Sequence, residues 1–481
     1  MTIQSSFPVS RRSLLTAGAG LAVGALMPFR PVRAEAPGET RITPGLAHAR
    51  LSGANGPETD VWCYNGAVPG PVVRLRQGAP ARLVVENRLE QDTTVHWHGI
   101  RLSNAMDGVP GLTQPPIKPG ERFAYEFTPP DAGTFWYHPH VNGLEQLGRG
   151  LAGVLIVEER EPVAVDRDLV WMLSDWRLGS DDQIVASFGN RMEAMMSGRV
   201  GNLVTLNGVA AANVPVRAGE RPPLRLVNGS LARMMALRFE GHRPVVLAID
   251  GQACDPHEPD AGRLFLGPAM RIDVVLDIQG DPGGRYAVID DFYDDLAYTL
   301  TNLAYAKDAP LRAHPFDAPL RLRPKPLPEP DLEKAERHEI MVQGGMMGAG
   351  MMQGMGGMNG MASPGMDGGA SWSINGMSMT GDGEAGMAPL LTFARGSHVV
   401  LELHNHTAWW HPMHLHGHSF KLLSRKGSPV LYRQWQDTVL IQLKVSIRRR
   451  PPSGFPHDLR HCVYSQGLRR CHESYRSHHL C

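Results

Sequence analysis

The chain is short of cysteine, of long apolar runs and of any surplus charge, and each shortage excludes something. Five cysteines in 481 residues, three of them within the last 20, cannot form a disulfide scaffold, and the odd number leaves at least one unpaired. The 48 basic residues balance the 48 acidic ones, so nothing points to nucleic acid or an anionic membrane as partner. The apolar stretch Leu14 to Met27 has about 14 residues, short of the ~18–20 of a spanning helix, and no stable membrane span is expected. What is plentiful is glycine (53) and proline (39), set between short apolar runs, which favours many strands and turns over long helices. The length exceeds one hydrophobic core and fits about three domains.

The N-terminus reads as a targeting segment. Ser10-Arg11-Arg12-Ser13-Leu14-Leu15 sets paired arginines before an Ala/Gly-rich apolar stretch, and Val32-Arg33-Ala34 offers small residues for cleavage. Residues 1–34 are therefore expected to be a twin-arginine signal peptide, with the Tat export machinery as partner and the periplasm as destination. That route suits a protein folded around a metal before export.

Three stretches share one layout. Asn65-Gly66 leads to Gly78 and the run Arg82 to Glu86, closed by Asn87; Asn207-Gly208 leads to Gly219 and Leu224 to Val227, closed by Asn228. Asn375-Gly376 leads to Gly396 and Val399 to Leu403, closed by Asn405. In each, the second glycine precedes the closing asparagine by nine residues. Asn-Gly favours positive φ, so each copy reads as a turn, a second turn and a half-buried strand. Three ordered copies imply three related all-β domains of sandwich type. The expected boundaries are 35–160, 161–325 and 326–442, with a Met-rich insertion at 341–387 and a tail at 443–481.

The repeat also places the chemistry. Nine residues beyond the closing asparagine stand His96, Leu237 and His414; two further on stand His98, Phe239 and His416. The outer domains carry metal-type residues where the middle one carries core residues. His96-Trp97-His98, His138-Pro139-His140 and His414-Leu415-His416 are His-x-His pairs, and on a strand residues i and i+2 face the same way. Six imidazoles exceed the needs of one ion, so a cluster of two or three metals between the first and last domains is expected. His242, His257 and His338 lack such partners and read as solvated or hydrogen-bonded. Imidazole alone does not choose among zinc, copper and iron. Met346, Met347, Met351, Met352, Met355, Met358, Met361 and Met366 alternate with glycine, and clustered thioethers select Cu(I). The plainer reading of that segment is a low-complexity loop, since glycine supplies no core.

His96-Trp97-His98-Gly99, Trp136-Tyr137-His138-Pro139-His140 and the segment His411-Pro412-Met413-His414-Leu415-His416-Gly417-His418 resemble three of the four copper motifs of multicopper oxidases. The resemblance covers residues 40 to 442 and looks like the bacterial copper-resistance and laccase-like branch. It implies three cupredoxin-like domains, about four copper ions, and oxidation of Cu(I) or phenolic substrates with reduction of dioxygen to water. Carried over by position, His96 and His414 would hold the type 2 copper. His98 with His138 would serve one type 3 copper, and His140 with His416 the other. His411 would belong to the type 1 copper. Asp107 is similar to the acid that helps protonate reduced oxygen; read from its neighbours alone, it is equally a turn aspartate before Gly108.

The family's fourth motif, His-Cys-His with a histidine and a methionine downstream, is not found. After Gln436-Asp437-Thr438-Val439-Leu440-Ile441 the chain runs into Arg448-Arg449-Arg450-Pro451-Pro452 and a His/Arg/Cys-rich tail, expected to be disordered and without closing strands. His461-Cys462 is the nearest remnant, with Val463 where the second histidine belongs. A frameshift would explain the tail: one permitted codon choice for Cys471 to His479, read one base later, gives Val-Met-Arg-Val-Ile-Glu-Val-Ile. The third domain is thus expected to be incomplete and turnover poor or absent. The rival reading is a non-catalytic periplasmic protein that binds, stores or scaffolds copper; a zinc hydrolase is disfavoured by the methionines and the repeat.

Overall fold

A computed structural model describes residues 39–345 except 162, 164, 313, 315, 317–319 and 326, then 372–377, 389–431 except 395, and 434–442. It also describes the backbone of 32–33 and 461–466. The expected signal peptide apart from 32–33, most of the Met-rich insertion and most of the tail lie outside the described residues. Among the described residues no helix is long and apolar enough to cross a membrane.

The chain forms three successive β-sandwiches. In the first, Gly70–Arg76, Gly153–Glu158, Gly133–His138 and His96–His98 make one sheet, and Thr40–Ile42, Ala81–Glu86 and Arg122–Phe127 the other. Leu83, Val85 and Tyr125 of the second sheet meet Val73, Leu155 and Tyr137 of the first in a single core. In the middle sandwich Leu224, Leu226, Ile272 and Val274 pack against Leu237, Val288 and Leu300. In the third, Ile340, Val399, Leu401 and Phe420 pack against Met413, Val439 and Ile441. Period-two patterning makes these cores, because alternate residues of one strand share a face.

The repeat is visible atom by atom. Asn65, Asn207 and Asn375 all have positive φ, at 56°, 52° and 49°. Each side chain accepts from one backbone N–H of a neighbouring strand and donates two residues upstream: Thr43 and Arg41, Met172 and Val170, Met341 and Glu339. The closing asparagines Asn87, Asn228 and Asn405 are buried. In each, Oδ1 accepts from the N–H two residues on, at 2.9, 3.0 and 2.9 Å. Their Nδ2 groups donate to the carbonyls of Ile117, Leu266 and Gln442. Asparagine alone supplies this donor–acceptor set at that size.

The third sandwich departs from the other two. In the middle sandwich Met235–Phe239 is flanked by Arg263–Leu266 and Arg285–Asp290; in the first, His96–His98 pairs with Gly133–His138. His411–His414 pairs with Thr438–Ile441, and among the described residues nothing lies along its other edge. The expectation of a wholly unstructured tail is corrected in one stretch. His461–Gln466 forms a strand between His398–Asn405 and Phe420–Arg425. Two open ladders flank that slot, and the β-formers Val463 and Tyr464 suit it, although the sequence around them gave no alternation to read.

Candidate metal centre

Trp97 is the anchor of the first histidine pair. Its side chain is fully buried in the core against Tyr125, Phe127 and Tyr137. Strand alternation then turns His96 and His98 to the opposite face. Antiparallel register sets His96 opposite His138 and His98 opposite Trp136, whose ring stacks on His138 at 4.1 Å. From the third sandwich, His414 stacks on His98 at 3.6 Å between ring centroids, and the His416 ring lies 4.1 Å from that of His96. His140 completes the group, 4.9 Å from His416 and 5.2 Å from His96.

Ligand atoms gather in three overlapping sets: His96, His138 and His140; His96, His98 and His414; His96, Asp107 and His416. The six His-x-His imidazoles therefore come from two sandwiches to one place. The pairs carried over by position are also neighbours here. His98 Nδ1 lies 3.4 Å from His138 Nε2, and the His96 and His414 rings are 5.8 Å apart.

Hydrogen bonds decide which nitrogens remain. His96 Nδ1 donates to the Asp107 carbonyl at 2.7 Å, and His414 Nδ1 to the Asp437 carbonyl at 2.9 Å. Their Nε2 atoms are buried and make no hydrogen bond. A buried nitrogen lone pair without a partner is costly unless something electron-poor fills the gap. Burial also depresses the basicity of His96, His98, His138, His140 and His414, and crowding by neighbouring imidazoles adds to it. Neutral imidazole is the ligating form, so the donor set fits a late transition metal such as copper.

Asp107 is both a turn residue and a neighbour of the histidine group. It ends the short 3-10 turn Asn104–Met106, and its carboxylate Oδ2 accepts from His416 Nδ1 at 2.7 Å. Burial opposes its ionisation, but attraction and hydrogen bonds from His96 and His416 outweigh that and hold it well below the usual carboxylate range. His411 stands apart from the ligand sets. Its Nε2 is paired with Thr407 Oγ1 at 2.8 Å, its ring meets Trp372 at 4.8 Å, and burial lowers its pKa to about 4. His242 and His257 are hydrogen-bonded to local carbonyls, and His338 packs on Phe393.

His461-Cys462 belongs to a different sheet from His411–His414. Its strand occupies the slot that Arg271–Val275 fills in the middle sandwich, in the sheet opposite His411–His414. The edge of His411–His414 that has no neighbour among the described residues is the one that Gly133–His138, with its histidine, covers in the first sandwich.

Sequence reasoning missed Asp437, Thr438, Arg271 and Asp250. Asp437 Oδ1 lies 3.4 Å from both His98 Nε2 and His414 Nδ1, and Thr438 Oγ1 lies 3.2 Å from each of the same nitrogens. The available signal was a charged residue inside an apolar strand: Arg271 in Met270-Arg271-Ile272-Asp273-Val274, and Asp437 before Thr438-Val439-Leu440-Ile441.

Multicopper oxidase family models match residues 46–162, 167–308 and 363–452. Multicopper oxidase MmcO of Mycobacterium tuberculosis is 30% identical over 444 residues, which is 85% of this chain and 80% of that protein. The chain belongs to the multicopper oxidases. Copper is the cofactor of the family, and its sandwiches are cupredoxin-like. Copper resistance protein A of Escherichia coli is 31% identical over 317 residues, 56% of this chain; the match spans half the length of that relative. The crystal structure of a multicopper oxidase from Pseudomonas parafulva, 32% identical, superposes with a TM-score of 0.71 over 88% of this chain and 93% of that one. One from Pseudomonas thermotolerans, 29% identical, gives 0.71 over 89% and 93%.

Proposed function

We propose that this chain is an exported copper protein that retains the oxygen-reducing half of a multicopper oxidase and has lost the half through which electrons enter. His96, His98, His138, His140, His414 and His416 would hold the cluster copper, and His411 is the surviving type 1 histidine. The observation that carries this is the contrast between two edges: six imidazoles converge, two with buried unpartnered Nε2 atoms, while among the described residues one side of the strand His411–His414 has no neighbour.

In a complete enzyme of this kind, four one-electron oxidations of substrate supply the electrons that, with four protons, convert dioxygen to two waters at copper. The chain's own residues prepare for that. Asp107, buried and ionised between His96 and His416, is placed to receive and pass a proton. The Asp107 and Asp437 carbonyls fix the ring orientation of His96 and His414. Cu(I), suggested by the Met-rich segment, or a phenol would be the reductant. Without the His-Cys-His residues, two cluster ligands and three type 1 ligands are missing, so turnover should be poor or absent. A non-catalytic copper-binding or storage role is the second reading, favoured by that same pairing of an intact histidine group with an incomplete entry site. Arg11-Arg12 and the apolar stretch after them support twin-arginine export to the periplasm.

The test is copper content and oxygen uptake on the full chain. The proposal expects copper that is lost in His96→Ala and His414→Ala variants, with negligible oxygen uptake on Cu(I) or a phenol. Rapid oxygen uptake would overturn the loss of electron entry. Copper retained after both substitutions would overturn the site.

A further inference from the structure

The middle sandwich has no histidine pair, yet it sends two buried ionisable side chains to the edge of the metal centre. Arg271, Asp250 and Asp437 are each fully buried. The Arg271 guanidinium grips the Asp437 carboxylate with both ends of its fork, Nη1 to Oδ1 at 2.7 Å and Nη2 to Oδ2 at 2.5 Å. Asp250 grips the backbone of the same segment: its Oδ2 accepts from the N–H of Asp437 at 3.3 Å and of Thr438 at 3.0 Å. Its Oδ1 accepts from the N–H of Arg271 at 2.9 Å. Arg271 Nε also donates to the Thr134 carbonyl of the first sandwich, so the knot joins all three. Gly99, next to His98, leaves the room: a Cβ there would collide with the Arg271 guanidinium and the Asp437 carboxylate.

A buried ion pair is often no more than a tolerated burden on folding. Here the pair has a directed output. With the side chain of Asp437 held by Arg271 and its main chain by Asp250, the Asp437 carbonyl accepts a hydrogen bond from the Nδ1–H of His414, and Oδ1 with Thr438 Oγ1 faces Nε2 of His98. That leaves Nε2 of His414 and Nδ1 of His98 as the nitrogens turned toward the other imidazoles. Groups that orient ligating histidines typically set metal affinity and ligand-field geometry as well as ring position.

We propose that Arg271 and Asp250 are positioning residues for the metal centre, through which the middle sandwich sets the tautomer and orientation of His98 and His414. This rests on the reading that the histidine group holds copper. Lysine cannot reproduce the planar fork of arginine, so Arg271→Lys keeps the charge and loses the alignment. Asp250→Asn keeps the shape and one acceptor but turns the other oxygen into a donor, which cannot take the backbone N–H bonds made there.

The test compares the full chain with Arg271→Lys, Asp250→Asn and a control, Arg221→Lys, which disturbs the Arg221–Asp277 pair beyond the other end of the strands Pro223–Asn228 and Arg271–Val275. Folded monomer is collected by gel filtration, loaded with Cu(II), and examined by EPR and by competition with a chelator. The expected result is about a 10–100-fold loss of Cu(II) affinity and a changed copper hyperfine pattern in the first two variants. The control should match the parent in both. Unchanged spectra and affinity in Arg271→Lys and Asp250→Asn would reduce the knot to structural glue and overturn the proposal. A parent chain that binds no Cu(II) at the histidines is a different failure, that of the underlying reading.

Discussion

Asp107 Oδ2 accepts a 2.7 Å hydrogen bond from His416 Nδ1, tying together residues 309 positions apart in the chain. The same aspartate accepts His96 Nδ1 on its backbone carbonyl, so one residue orients an imidazole from each outer sandwich. Asp107→Asn keeps the carbonyl contact and weakens the charged one. Cu(II) affinity at the histidine group should fall about 10-fold, and Asp107→Ala should fall further. Equilibrium dialysis against a chelator measures it; equal affinity in all three proteins would show that the carboxylate plays no orienting part.

The closing asparagines make a sharper stability prediction than any single core residue. Asn228→Ala strips partners from the Leu266 and Arg233 carbonyls and from the Ser230 N–H, all in or near the core. Leaving buried backbone groups unpaired costs about 1–3 kcal/mol each at most, partly relieved by relaxation, so a loss of about 3 kcal/mol is expected. Asn87→Ala should behave alike, because Asn87 makes the matching set of bonds. Urea unfolding reads both. A change under about 0.5 kcal/mol would place these bonds within reach of replacement by water.

Much of the site was legible because its chemistry is written at short range. His-x-His is visible within three residues, and the Asn-Gly and closing-asparagine offsets carry the repeat without any alignment of core residues. Asp437, Arg271 and Asp250 were not legible for the opposite reason. Their contacts span 166 and 187 residues, and a lone charge in a strand reads as solvent-facing until the neighbouring sandwich is in place. The strand His461–Gln466 escaped notice because its slot is created by two other strands, not by its own pattern.

That slot makes the tail testable. A chain ending at Gln442 leaves His398–Asn405 and Phe420–Arg425 with open edges, whereas one ending at Gln466 keeps them paired. The shorter form should unfold several degrees lower and self-associate on gel filtration, as exposed strand edges do. The longer form should behave as the full chain. If the two truncations unfold alike, 461–466 contributes nothing to the third sandwich.

Lys325 gives a pH signature. Its ammonium donates to the Gly251 carbonyl at 2.5 Å and lies over Phe135, and although the residue is only partly buried its charged end points inward. Burial lowers its pKa to about 8, opposed by attraction to Asp131. Between about 8 and the unfolded value near 10.4 the unfolded chain holds the proton and the folded one does not, so this residue makes stability rise with pH there. Relative to the parent, Lys325→Met should be more stable below pH 8. The difference should shrink by at most about 3 kcal/mol on going from pH 8 to pH 10. Denaturant titrations at several pH values check the slope; a difference independent of pH would mean that the amine is solvated.

The most direct measurement is the visible absorption and EPR spectrum of the full chain after copper loading. The account predicts bound Cu(II) with an EPR signal from imidazole-ligated copper and no intense blue thiolate-to-copper band, because among the described residues no strand brings a cysteine beside His411. A blue chain with a type 1 EPR signature would contradict it, and would mean that some cysteine of the tail reaches His411 and restores the site where electrons enter.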